Sequence, residues 1–214
     1  SPEKALFPYV TVDKIHESPP HTGCRTLVAL DLQGRRRTWE PFRADDDPDP
    51  DVTRNLYKSV LCDRLRFEEI NRELGLAFRY TWGTSDRHGF VRSCEIENLG
   101  EAPVTIEVID GLQNILPAGT PAIIQANSSN LADAYKWTEL NEATRLAVYA
   151  LYSGISDRAE PCESLRANVV YELGLPASAV LLSSRQLDGF LRGRRPVTEA
   201  RSRGVRGAYF VHAT

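Results

Sequence analysis

Alternation of hydrophobic and polar residues is the dominant pattern in this chain. It is clearest over 74–82, where Leu, Phe, Tyr and Trp occupy every second position. A helix would place apolar residues three and four positions apart, so this pattern predicts a β-strand. A turn-rich connection over 83–89 precedes a second predicted strand at 90–97. The residues Asn98–Glu101 are typical of a tight turn, which predicts a hairpin between this strand and one at 104–108.

The later part of the chain repeats the strand pattern in short runs. These runs lie at 121–125, 146–152, 167–171, 179–182 and 207–212. The run 146–152 is apolar at both alternating sets of positions, which predicts burial on both faces. Residues 132–140 also show helical spacing, but we expect them to pair as a strand with 146–152. Helices are predicted only over 52–61 and 184–191.

About ten to thirteen short strands separated by turns predict an all-β fold, a large antiparallel two-sheet β-sandwich with few short helices. The length of 214 residues suits a single domain spanning 1–214. Residues 43–52 are rich in Asp and Pro and predict an exposed acidic loop, for which calcium binding is the alternative. Because the sequence has no methionine, we expect a chain that is either processed or cut from a longer protein.

Charge and composition exclude several classes of partner. Lys and Arg number 26 against 29 Asp and Glu, a net charge of −3 that argues against nucleic acid as the main partner. No run approaches the roughly 18 apolar residues of a membrane helix, and the first residues do not resemble a signal peptide.

The four cysteines are widely spaced, so we expect no metal site and no cofactor. We also expect largely buried thiols and a location in the cytoplasm.

The sequence carries no familiar catalytic signature. Nucleophile elbows, phosphate-binding loops, dinucleotide fingerprints and zinc-protease motifs are all missing. The adjacent acids Glu68 and Glu69 suggest the carboxylate pair of a glycosidase. Neighbours on a strand point to opposite faces, however, so these two carboxylates are not expected to flank one glycosidic bond.

A mixture of amides, charges and aromatic rings indicates a sugar-binding site. Flat rings cover the apolar faces of pyranoses, and planar polar groups bond to their hydroxyls. Polar anchors at strand ends and core aromatics are the alternative interpretation. The candidate substrate-binding residues are Asp110, Asn114, Asn127, Tyr135, Lys136 and Trp137.

Several of the same segments resemble a known family. They are Gly89–Arg92, Glu97–Asn98, Val108–Asn114, Asn130–Lys136 and Asp157–Pro161. These stretches are similar to the N-terminal β-sandwich of cellobiose phosphorylase-like proteins, which has the galactose mutarotase-like supersandwich fold. The resemblance spans roughly residues 65–214, with weaker similarity at Thr11–Ile15 and Trp39–Phe42.

The resemblance implies that this chain is a non-catalytic domain excised from the N-terminal part of a longer multidomain protein. In such proteins the sandwich precedes a helical linker and an (α/α)₆ barrel, and the barrel carries the catalytic acid. The sandwich would then pack on the C-terminal barrel of its own parent chain, form a homodimer and contact the carbohydrate. No catalytic residue of the family matches a position here.

Two other functions remain open at this point. One is an independent carbohydrate-binding module that uses Tyr135 and Trp137. The other is an aldose 1-epimerase on the same fold, although the His–His–Glu set of such enzymes does not match this sequence.

Overall fold

A computed structural model describes residues 5–10, 17–43, 49–155 and 164–214. Strands dominate these residues and every strand pairing is antiparallel, which confirms the all-β prediction. The strands are β1 (Gly23–Leu32), β2 (Arg35–Trp39), β3 (Val52–Lys58), β4 (Leu65–Asn71), β5 (Leu76–Ser85), β6 (Gly89–Asn98), β7 (Ile106–Ile115), β8 (Lys136–Asn141), β9 (Leu146–Leu151), β10 (Ala167–Val170), β11 (Ala179–Leu181), β12 (Arg201–Arg203) and β13 (Gly207–Ala213). The helices are α1 (Ala122–Asn127), α2 (Ser129–Ala134) and α3 (Leu187–Leu191).

The chain divides into two compact units. Residues 1–39 and 106–214 form the sandwich unit, and residues 40–105, between them in sequence, form the inserted unit. The sandwich unit holds a central sheet of order β11-β13-β7-β1-β2 and an outer sheet of order β10-β9-β8-β12. The inserted unit is one sheet of order β3-β4-β5-β6. The expectation of a single domain cut from a longer protein stays a prediction.

The central sheet buries one face beneath α3. Alternate residues of its strands point to this side, because side chains alternate across a strand. Burying such apolar side chains is the main favourable contribution to folding, at roughly 25 cal/mol per Å². The buried cluster comprises Leu27, Ala29, Ile109, Leu181, Leu187, Phe190, Ala208 and Phe210.

Two tyrosines join the sheets of the sandwich unit. Tyr149 of β9 is fully buried, and its hydroxyl donates to the carbonyl oxygen of Ala208 at 2.7 Å. The hydroxyl of Tyr209 donates in the opposite direction, to the carbonyl oxygen of Arg145 at 2.6 Å. The inner face of the outer sheet is therefore fixed against β13, which leaves its other face turned outward.

One side of the inserted sheet is lined by aromatic rings and the other side by ion pairs. On the first, Phe67 stacks on Tyr80 with ring centroids 4.7 Å apart, and Phe42 packs edge-on against Tyr80 at 5.3 Å. On the second, Arg79 forms ion pairs with Glu68 and with two carboxylates of β6. Strict alternation along β4 and β5 produces this separation.

Two secondary-structure predictions are wrong. Residues 52–61 do not form a helix: Val52–Lys58 is strand β3, which pairs along its whole length with β4. Residues 121–125 do not form a strand: helix α1 begins directly after Pro121. Pro is favoured at a helix start because its missing N–H has no intrahelical role there.

The predicted hairpin across Asn98–Glu101 is also wrong. The strand β6 pairs with β5 in the inserted unit, whereas β7 pairs with β1 and β13 in the sandwich unit. The Asn98 side chain accepts from the N–H of Gly100 and donates to the carbonyl oxygen of Ala102. This local turn, followed by Pro103, directs the chain to another sheet.

Other predictions are confirmed, some with shifted bounds. Strands form close to the predicted positions at β5, β6, β10, β11 and β13. Residues 132–140 divide into the end of α2 and strand β8, which pairs with β9 as expected. The predicted helix over 184–191 is the shorter α3.

Some expectations lie outside the described residues. Residues 44–48 of the predicted acidic loop 43–52 are outside the described residues, and so are the segments Thr11–Ile15 and Asp157–Pro161 of the family resemblance.

The expectation of largely buried thiols is wrong for Cys62 and Cys94, which are exposed.

Candidate functional site

The outward side of the outer sheet is the most distinctive surface of the sandwich unit. Residues 136, 138 and 140 of β8 are buried, whereas residues 137, 139 and 141 point outward. β9 alternates in the same way, so the prediction that it is buried on both faces is wrong. We call this surface the aromatic face and define it by Trp137, Glu139, Val148, Ala150, Tyr152, Arg201 and Arg203.

Strand register brings these side chains together. Trp137 lies opposite Ala150 on one side and opposite Arg203 on the other. Glu139 is likewise flanked by Val148 and Arg201. Directly opposed side chains on antiparallel strands are about 5 Å apart, which places every one of these pairs within contact range.

Two aromatic rings form the apolar part of the face. The rings of Trp137 and Tyr152 are parallel to within 6°, with centroids 6.4 Å apart. The backbone N–H of Tyr152 donates to the carbonyl oxygen of Tyr135 at 2.7 Å, which fixes Tyr152 just beyond the end of β9. Tyr152 is 73% exposed, so its ring is open to a ligand.

Two arginines of β12 complete the face. The guanidinium carbon of Arg203 lies 3.6 Å from the centroid of the Trp137 ring, and that of Arg201 lies 5.2 Å away. Arg201 also forms an ion pair with Glu139 at 2.7 Å. Such cation–π contacts contribute roughly 0.5–1 kcal/mol at exposed sites, and they hold the indole and guanidinium planes in place.

A shallow depression of about 250 Å³ opens on this face. It is lined by Trp137, Glu139, Val148, Ala150, Leu151 and Tyr152. Sites for drug-sized ligands usually measure about 300–1,000 Å³, so this one has room for little more than a single ring. Its lining combines the small side chains of Val148 and Ala150 with the rings of Trp137 and Tyr152.

Of the predicted sugar-binding residues, Trp137 lies on the aromatic face. Lys136 points the other way and is 3% exposed, with its Nζ 2.6 Å from the Asp133 carboxylate. Tyr135 is half-buried between α2 and β8. Asn127 is exposed at the end of α1.

Asp110 and Asn114 lie in a different sheet from Trp137. Both belong to β7, where Thr26 donates to Asp110 at 2.6 Å. Asn114 is buried and donates to the Thr22 hydroxyl at 2.9 Å, and it adopts a left-handed backbone conformation with φ 57°. The sequence therefore groups six residues that the fold distributes over several surfaces.

Sequence reasoning missed Tyr152 and Arg203. Tyr152 has the same parity as Val148 and Ala150, so the alternation of β9 already places it beside Trp137 once the hairpin is recognised. The two arginines of the Arg201-Ser202-Arg203 segment share a face for the same reason. Strand β12 has only three residues, which is too short for a reliable alternation signal.

The adjacent acids of β4 behave as strand geometry predicts. Glu68 accepts from Arg79, Asn55 and Tyr57 on one face of the sheet. Glu69 accepts from the Phe42 N–H and from Arg54 on the other. Two carboxylates directed to opposite faces cannot act on one glycosidic bond.

No group of three His, Cys, Asp or Glu side chains in the described parts of the chain is arranged to hold a metal ion. Nor does any helix there have the length and apolar character needed to cross a membrane.

Comparison with known proteins adds no assignment. No protein-family model and no curated protein matches this sequence.

Proposed function

We propose that this chain is a non-catalytic β-sandwich domain of a carbohydrate-active enzyme and that its aromatic face contacts the sugar. The observation that carries the proposal is the parallel pair of Trp137 and Tyr152 on an outward sheet surface. Aromatic faces cover the apolar C–H surface of a pyranose, and adjacent polar groups bond to its hydroxyls. Glu139 and Arg201 supply an acceptor and donors beside the rings.

The size and shape of the surface support this proposal. The depression is open and shallow, with the exposed Tyr152 ring at its edge. A site of this kind holds one sugar ring without enclosing it, which suits attachment to a saccharide more than turnover of one. The acids that resemble a glycosidase pair, Glu68 and Glu69, are each engaged in ion pairs.

Saccharide titration of the full chain tests the proposal. Cellobiose and maltose should quench or shift the tryptophan fluorescence and release heat in calorimetry. We expect Tyr152→Ala and Trp137→Ala each to weaken binding about five- to tenfold, the equivalent of roughly 1 kcal/mol for a lost ring contact. Phe90→Ala is the matched control, because Phe90 is a similarly exposed ring on the inserted unit.

Two results would contradict the proposal. One is the absence of binding by any saccharide at millimolar concentration, and the other is an equal loss of affinity in the Phe90→Ala variant. Polarimetry separates the epimerase alternative, since we expect anomerisation of α-D-glucose and galactose at the buffer rate.

The resemblance to cellobiose phosphorylase-like proteins leads to the second part of the proposal, which concerns how the domain packs and assembles. The domain would pack on the (α/α)₆ barrel of its parent chain and assemble as a homodimer, in the cytoplasm. Sequencing the gene beyond the codon for Thr214 distinguishes this from an independent carbohydrate-binding module. A coding region for a helical array is expected, whereas an immediate stop codon would favour the independent module.

A further inference from the structure

The guanidinium of Arg203 is held against an aromatic ring and has no anionic partner among the described residues. It lies on the Trp137 ring at 3.6 Å, yet among the described residues it makes no ion pair or hydrogen bond. Its neighbour Arg201, two residues earlier on the same face, is neutralised by Glu139 at 2.7 Å. The aromatic face therefore carries one positive charge that no residue in the described part of the chain matches.

Stacking prepares this group for an anion. A guanidinium that lies flat on an indole directs its N–H donors outward in its own plane, where they match the two oxygens of a carboxylate or phosphate. The stack also restricts the side chain before binding, so less conformational entropy is lost when an anion is bound. A lysine at this position would present a point charge without that fork.

The rings and the charge are close enough for one ligand. Trp137 contacts both Arg203 and Tyr152, and it lines the depression, which has room for a single sugar ring. A pyranose seated in that depression would direct one of its ring substituents toward β12, the strand that carries Arg203. We propose that the aromatic face selects an anionic monosaccharide unit whose carboxylate or phosphate binds Arg203. This inference rests on the proposed sugar contact.

Charge complementarity favours a small anion over a polyanion. The one other cation of the face, Arg201, is already paired, and the chain as a whole has a net charge of −3. A nucleic acid needs a track of basic groups for its phosphates. A single unpaired guanidinium beside a one-ring depression matches one acidic sugar.

Calorimetry with paired ligands tests this inference on the full chain at low salt. We expect methyl β-D-glucuronide to bind at least about tenfold more tightly than methyl β-D-glucoside, which corresponds to roughly 1.4 kcal/mol. Arg203→Gln should bring the ratio close to one while methyl glucoside still binds. Arg185→Gln, an exposed arginine elsewhere in the same unit, should keep the wild-type ratio.

Three further ligands and a salt series sharpen the result. Glucose 6-phosphate compared with the glucuronide shows whether the site prefers phosphate or carboxylate. Sodium acetate and inorganic phosphate should bind far more weakly than the sugar anions, because they lack the ring. The preference should shrink in 0.5 M NaCl, where the screening length is only a few ångströms.

The outcomes separate this inference from the proposed function. Equal affinity for glucoside and glucuronide, or an unchanged ratio in Arg203→Gln, would overturn the anion preference and leave the sugar contact standing. Simple anions that bind as tightly as the glucuronide would overturn it as well. If neither methyl β-D-glucoside nor methyl β-D-glucuronide binds, both the anion preference and the proposed sugar contact fail. Thermal unfolding of each variant confirms that the fold is intact.

Discussion

Glu68 and Glu69 are adjacent in sequence, and their carboxylates bind different arginines on opposite faces of strand β4. Glu68 pairs with Arg79, and Glu69 with Arg54. The arrangement converts a pair that looks catalytic into two independent structural contacts. It also makes the contribution of Glu68 to stability measurable through its pH dependence.

The Arg79 guanidinium, with help from Asn55 and Tyr57, lowers the pKa of Glu68 to about 2 from its ordinary 4.5. A carboxyl group whose pKa is lower in the folded chain stabilises the fold above about pH 4.5 and loses that contribution as the pH falls toward 2. We expect Glu68→Gln to lose about 1–2 kcal/mol at pH 7, less than the full shift implies because water screens the cluster. Urea unfolding at pH 7 and pH 3 checks this.

Glu101→Gln, an exposed acid of the same unit, is the control and should change little at either pH. A Glu68→Gln loss of equal size at both pH values would show that the charge is not responsible.

The close approach of β7 and β13 at Gly111 allows no side chain. A Cβ there would lie 1.9 Å from the carbonyl oxygen of Tyr209 and 2.8 Å from the Phe210 Cα. Because both neighbours are backbone atoms, Gly111→Ala forces the strands apart, and we expect a loss of about 3 kcal/mol or more. Thermal unfolding measures it. Gly83 is also in a strand, but a Cβ there would lie 3.8 Å from the nearest atom, in the Arg64 side chain. Gly83→Ala should therefore change stability by less than about 1 kcal/mol.

The hydrogen bond from Tyr149 to Ala208 connects the two sheets of the sandwich unit. Tyr149→Phe keeps the ring and leaves the buried carbonyl oxygen without this donor, at a cost of about 1–2 kcal/mol. Tyr152→Phe removes a hydroxyl from a ring that is 73% exposed and should have almost no effect. Denaturant unfolding of the two variants side by side makes the comparison, and equal losses would refute a specific role for the buried hydroxyl.

Burial lowers the pKa of the His212 imidazole below its ordinary 6.5. Protonation then favours the unfolded chain, so this residue contributes stability above about pH 6.5 that is lost as the pH falls. We expect His212→Gln to reduce the loss of stability between pH 7.5 and 5.5. Denaturant unfolding at both pH values measures how the free energy of unfolding changes with pH. The control is His21→Gln, which replaces an exposed histidine and should leave this change as in the wild type.

Local alternation predicted the strands that carry strong apolar patterns, and long-range pairing decided the rest. Over 52–61 the apolar residues Val52, Leu56 and Val60 are spaced by four, which favours a helix, yet β4 supplies a continuous partner and the segment is a strand. The 121–125 run has the apolar residues of a short strand, but it begins with Pro121, which favours a helix start, and helix α1 follows directly.

The candidate site could be predicted only in part. Trp137 lies in a segment that the sequence predicts to pair as a strand, whereas its partners Tyr152 and Arg203 come from just beyond β9 and from β12. No single-sequence pattern states which strands of a sheet are neighbours. Lys136 shows the complementary error, since adjacency in sequence places it on the opposite face from Trp137.

The division of the sandwich unit by the inserted unit has a consequence for synthesis on the ribosome. Strand β1 pairs with β7, and the bonded side chains of Thr26 and Asp110 are 84 residues apart in sequence. At about 5–20 residues per second, β1 leaves the ribosome roughly 4–17 s before its partner. The inserted unit is continuous in sequence and is translated whole during that interval. One edge of β1 is able to pair with β2 soon after synthesis, whereas the edge that pairs with β7 stays without its partner until the inserted unit has been made.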